Sequence, residues 1–134
     1  MEGLAFQWSP AYLHDFIYSQ SKVYWNFMFA FGTRGAGCGD GTDETVNQCG
    51  VTCKHSIAHL DSFGLYDASR KNLLHRIFML RDPRGPLTKV RSVMNFNVND
   101  TINWTDDFRA QVPYGIDPLD EDFFFKTGIF FMDA

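Results

Sequence analysis

The sequence predicts an α/β fold, a short parallel sheet flanked by helices, and three observations carry that expectation. The first is Ile77-Phe78-Met79-Leu80, four consecutive apolar residues that read as a strand buried on both faces. The second is the turn directly after it, Arg81-Asp82-Pro83-Arg84-Gly85, ending at Pro86, which suits the first position of a short helix over Leu87 to Val93. The third is a nearly all-apolar run, Val23 to Phe31, that feeds directly into a Gly-rich loop. A strand, a basic turn and a helix N-terminus together place guanidinium groups at the carboxyl end of a strand. In open α/β sheets that edge binds ligands, and this one suits a phosphate or sulfate. The plainer alternative is that Arg81 and Asp82 form a surface ion pair in an ordinary turn.

Taken in order, Met1 to Ser9 has no pattern, and Ser9-Pro10 has the form of a helix N-cap with a first-turn proline. A helix from Pro10 to about Tyr24 comes next, with Leu13, Phe16, Ile17 and Tyr24 at helical spacing and its Tyr and His residues in packing roles. Val23 to Phe31 either ends that helix or forms a strand over its second half. The loop Gly32 to Gly41 can turn backbone N–H groups toward an anion, although it lacks the Lys-Ser/Thr ending of a Walker motif; a surface loop is the alternative. Asp61 to Lys71 reads as a loop running into a short helix, and Ser92 to Val98 as a half-buried strand or the end of the preceding helix. Asn99 to Asp122, rich in Asp, Asn, Pro and Gly, reads as loops with a solvated acidic surface and no calcium-loop spacing. Phe123-Phe124-Phe125 and Ile129 to Met132 around Thr127-Gly128 read as a terminal hairpin or two short buried strands.

Cys38, Cys49, Cys53, His55 and His59 are five candidate zinc ligands within twenty-two residues, but their spacing fits no common zinc finger. No metal is expected. A disulfide, Cys49 to Cys53 or Cys38 to Cys49, competes with free buried thiols, and three cysteines leave at least one unpaired.

Leu80-Arg81-Asp82-Pro83-Arg84-Gly85 resembles the Leu-(Val)-Arg-Asp-Pro-Arg-(Ala/Gly) segment of Golgi carbohydrate sulfotransferases, and the resemblance extends over about Cys49 to Ser92. Lys54 to Leu60 stands about where that family has a Lys-x-x-(Ile/Val)-Arg strand, and Leu73-Leu74-His75-Arg76 leads into the donor strand as the family does. Thr33-Arg34-Gly35 is similar to the start of the family's loop for the 5′-phosphosulfate, with Ala36 and Gly37 in place of its Ser pair. Lys89 stands where the family has a Ser on the 3′-phosphate, and its upstream Arg would fall near Ala58 or His59. The resemblance implies a fragment of a P-loop-like sulfotransferase fold, transferring a sulfuryl group from phosphoadenosine phosphosulfate to a sugar hydroxyl of a glycan acceptor in the Golgi lumen. Arg81 and Lys89 would serve the 3′-phosphate, and Thr33, Arg34, Gly35 and Gly37 the 5′ end. No carboxylate is assigned as the catalytic base.

The chain of 134 residues fits one domain, read here as a partial sulfotransferase-like one. Its 45% hydrophobic content, with fourteen Phe, excludes wholesale disorder and supplies more aromatic surface than a small core ordinarily needs. Self-association through the Phe-rich C-terminus is one expected use of that surplus. A formal net charge of −4 without a like-charge block argues against a nucleic-acid binder. No run is long enough for a transmembrane helix, and no leader pattern is visible. Asn99-Asp100-Thr101 and Asn103-Trp104-Thr105 are sequons, usable in a secretory lumen. Two other functions stand beside the transferase: a non-catalytic, aromatic-rich binding or interaction module, and a small zinc-stabilised domain.

Overall fold

The computed structural model describes residues 9–23, 30–32, 56–82 and 95–134. Its elements in chain order are α1 (Pro10–Val23), β1 (Ala30–Gly32), β2 (Ser56–Tyr66), β3 (Leu73–Arg81), α2 (Asp106–Ala110), a 3₁₀ turn at Pro113–Gly115, α3 (Glu121–Thr127) and β4 (Ile129–Asp133). The strands form a single sheet in the order β1-β2-β3-β4, and every neighbouring pair is antiparallel.

That order overturns the expected parallel sheet. Ile77 to Leu80 do form a buried strand, but burial on both faces arises without βαβ crossovers. Side chains alternate across a strand, so Phe78 and Leu80 face one way and Ile77 and Met79 the other. α1 covers the first face, where the His14 ring lies 5.0 Å from that of Phe78. The segment 96–127 covers the second, where Trp104 and Phe124 pack on Phe131, the β4 partner of Met79. An apolar run reports burial, not strand direction.

Each element arises from local chemistry. In α1, Ser9 caps the helix by accepting from the N–H of Tyr12 at 3.2 Å, and Pro10 takes the first turn. Leu13, His14 and Ile17 make the inward face, while Tyr12, Phe16 and Tyr18 remain exposed. The helix is fixed to β3 at its polar margin: His14 Nε2–H donates to the carbonyl of Ile77 at 3.1 Å, and Arg76 Nε–H to Asp15 at 3.0 Å. The Arg76 guanidinium, with His14 beside it, holds the Asp15 carboxyl below its usual range.

β2 corrects a second expectation, since Asp61 to Tyr66 continue the strand and no helix intervenes before β3. The alternation is present in Phe63 and Leu65, both buried, but small and polar partners at 62 and 64 obscure it. The Asp67 carboxylate closes the hairpin by accepting from Ser69 Oγ at 2.7 Å and from the N–H of Lys71 at 3.1 Å.

Two more helices begin within the stretch 99–122 expected to be loop, α2 inside it and α3 at its end. α2 is capped by Thr105 Oγ1, which accepts from the N–H of Phe108 at 3.2 Å, and α3 by Asp120, which accepts from the N–H of Phe123 at 3.2 Å. Glu121 and Asp122 at the start of α3, Lys126 in its last turn and Gly128 just beyond at φ 72 complete a full set of helix-end signals. Those signals outweigh the Phe triplet, so the expected C-terminal hairpin is instead a helix followed by β4. Residues 95–98 are turns, neither strand nor helix.

The core is mostly aromatic. Phe131 lies 5.6 Å, ring to ring, from each of Phe63, Trp104 and Phe124, and Phe96 lies 4.9 Å from Trp104. Phe124, Phe130 and Phe131 are therefore interior residues, and the apolar surface left at this end comes from the half-buried Phe123, Phe125, Ile129 and Met132. Among the described residues, no helix is long and apolar enough to cross a membrane.

Candidate functional site

Of the residues expected to bind a donor nucleotide, the structure describes only Arg81. Thr33, Arg34, Gly35, Gly37 and Lys89 lie outside the described residues, as do Cys38, Cys49, Cys53, His55 and the expected helix after Pro86.

Arg81 ends β3, opposite Ile129 of β4 and Ala58 of β2. Its side chain is exposed, and its Nε–H donates to the carbonyl of Thr127 at 2.9 Å. Thr127 is the last residue of α3, so the guanidinium supplies a donor and positive charge where a helix leaves its final carbonyls unmatched. That single bond fixes the direction of the side chain. Among the described residues the terminal guanidinium nitrogens make no hydrogen bond, which leaves them open to an outside acceptor.

Asp82 is the residue that sequence reasoning placed wrongly. It is not the outer half of a surface pair with Arg81, because it is 1% exposed. Its N–H donates to the carbonyl of Gly128 at 3.0 Å and extends the β3–β4 ladder by one position. Neighbours in an extended chain face opposite ways, so the strand that turns Arg81 outward turns Asp82 inward. The sequence carried no signal for this, since 77–80 are all buried and show no alternation that could tell Arg81 from Asp82.

His59 stands in β2, where its Nε2 lies 2.7 Å from Ser62 Oγ, within the sheet layer. Among the described residues no three His, Cys, Asp or Glu side chains are grouped to hold a metal ion. A second polar contact is invisible in the sequence: Tyr114 Oη–H donates to Asp61 Oδ2 at 2.6 Å, although the two are 53 positions apart. Of the two sequons, Asn99 is exposed, whereas Asn103 is half-buried and its Nδ2 donates to Asp100 at 2.7 Å.

No protein-family model, curated protein or solved structure matches the chain.

Proposed function

We propose that this chain is a binding module for a ligand carrying a phosphate or sulfate ester, held at the end of β3 by Arg81. The observation that supports this reading is the orientation of the guanidinium. One nitrogen is committed to the Thr127 carbonyl, which lowers the entropy cost of presenting the other two to an anion. The similarity of Leu80 to Gly85 to the donor-phosphate segment of carbohydrate sulfotransferases points to the same ligand class. Phosphoadenosine phosphosulfate is then the proposed ligand, a sugar hydroxyl the proposed acceptor, and the Golgi lumen the proposed place.

The antiparallel sheet bears on how far the proposal extends. A parallel α/β sheet offers a crevice at its carboxyl edge, and that part of the case for transfer is gone. The binding step is what the geometry supports best; sulfuryl transfer is a further step that needs the residues at the donor's 5′ end and a base.

Titration of the chain with adenosine 3′,5′-bisphosphate, followed by calorimetry and thermal shift, tests the binding step. One charge-assisted hydrogen bond contributes roughly 1.5–3 kcal/mol, so Arg81→Ala should weaken binding about tenfold to a hundredfold. Arg81→Lys should recover part of the loss, since a point charge cannot reproduce the planar fork. Absence of binding by the unaltered chain, or equal binding by Arg81→Ala, overturns the proposal.

A further inference from the structure

The loop that leads into α2, residues 96–105, carries both asparagine sequons, and the fold treats them differently. Two buried rings pin it, Phe96 at 1% exposure and Trp104 at 2%. Between them the Asp100 carboxylate ties the loop together, accepting from the N–H of Phe96 at 2.7 Å, the N–H of Asn103 at 3.0 Å and Asn103 Nδ2–H at 2.7 Å. Asp100 thus turns inward, and its partners in the first sequon, Asn99 and Thr101, are left exposed on either side. Among the described residues neither the Asn99 side-chain amide nor the Thr101 hydroxyl makes a hydrogen bond.

The second sequon has every part in use. The Asn103 amide is held by Asp100, Trp104 lies in the aromatic core, and Thr105 Oγ1 accepts from the N–H of Phe108 as the cap of α2. A sugar on Asn103 would stand on a half-buried side chain, and an enzyme reading residues 103–105 would have to draw Trp104 out of the ring cluster.

We propose that Asn99, and not Asn103, is an N-glycosylation site of this chain. The modification needs Ser or Thr two positions after the asparagine and a surface that can carry a bulky, hydrated group, and Asn99-Asp100-Thr101 offers both. In the transfer, Asn99 Nδ2 forms a bond to C1 of the first sugar of a lipid-diphosphate-linked oligosaccharide. The C1–O bond to the diphosphate breaks, the lipid diphosphate leaves with the electron pair, and Nδ2 gives up one proton. Access to that donor rests on the proposed secretory-lumen placement and not on Arg81.

Cell-free translation of the full chain behind an added cleavable leader, with microsomes present and protease protection confirming entry, tests this. Because the leader supplies the route into the lumen, failure here counts against Asn99 and not against the Golgi placement or nucleotide binding. The protected chain should carry one glycan, seen as a single band shift reversed by peptide N-glycosidase. Asn99→Gln and Thr101→Ala should each abolish the shift, and Asn103→Gln should leave it in place. A protected chain with no shift, or a shift that survives Asn99→Gln, overturns the proposal. So does a second glycan that disappears in Asn103→Gln, since the fold would then not distinguish the two sequons.

Discussion

Asp67 illustrates how one side chain can set both a turn and a pH dependence. Its carboxylate is pulled down to about 2, first by the side chain of Asn72 and then by that of Ser69. A carboxyl whose folded value lies below its unfolded one contributes stability that is complete above the unfolded value, near 4, and disappears as the pH falls toward 2. Asp67→Asn, which cannot ionise, should therefore flatten the fall in unfolding midpoint between those two pH values, and acid titration followed by circular dichroism measures it. A second residue-scale prediction separates space from conformation. A Cβ added at Gly115 meets nothing within 4 Å, yet the backbone there has φ 66. Gly115→Ala should thus destabilise by about 1 kcal/mol in urea unfolding, through backbone strain alone. Neither residue stands out in the sequence, and for different reasons. An aspartate before Ser and Asn signals a turn, but the expected helix absorbed it; a glycine's handedness is not written in its neighbours.

At the scale of elements, α2 is too short to be stable alone and is held by what it touches. Gln111, just past its end, acts on β2 as a strand neighbour would, accepting from the N–H of Tyr66 at 2.8 Å and donating to its carbonyl at 3.0 Å. Arg70 adds a two-pronged pair to Asp107, at 2.9 and 2.7 Å. Gln111→Ala should cost about 1–2 kcal/mol, by loss of two exposed-edge hydrogen bonds, and should raise exchange at Tyr66 specifically. α3 depends instead on its own caps, Asp120 at one end and Gly128 at the other. α1 and α3 show how much of an element can be read in advance. Ser9-Pro10 announced α1 at its true start, and Asp120 to Asp122 with Gly128 carried every helix-end signal of α3, although the adjacent Phe triplet suggested a strand. β2 could not be read so directly, because Asp61 is made tolerable inside by a long-range phenol and a backbone N–H, and Ser62 by the His59 ring. The direction of the sheet was equally hidden, since parallel and antiparallel interiors show the same apolar run when both faces are covered.

The whole molecule is a sheet with unequal faces. On one, α1 contributes Ile17 and His14 over Phe78; on the other, a cluster of aromatic rings meets around Phe131, in contact with strands and helices separated widely in sequence. Most of the cooperativity should therefore pass through Phe131, the ring shared by β2, α3, β4 and the turn that carries Trp104. A buried Phe→Ala change costs about 3–5 kcal/mol, against a total of roughly 5–15 kcal/mol for a domain of this size. Phe131→Ala should accordingly leave little folded protein at about 37 °C, whereas Ile17→Ala, on the thinner α1 face, should lower the midpoint but preserve the near-ultraviolet signal of the ring cluster. Because the phenylalanines at positions 124, 130 and 131 lie inside, association through them should come after unfolding and not precede it. Light scattering and near-ultraviolet circular dichroism recorded in one thermal ramp decide the point: scattering that rises while the ring signal is intact would assign association to the native surface, and scattering that begins only as the signal collapses would assign it to the exposed core.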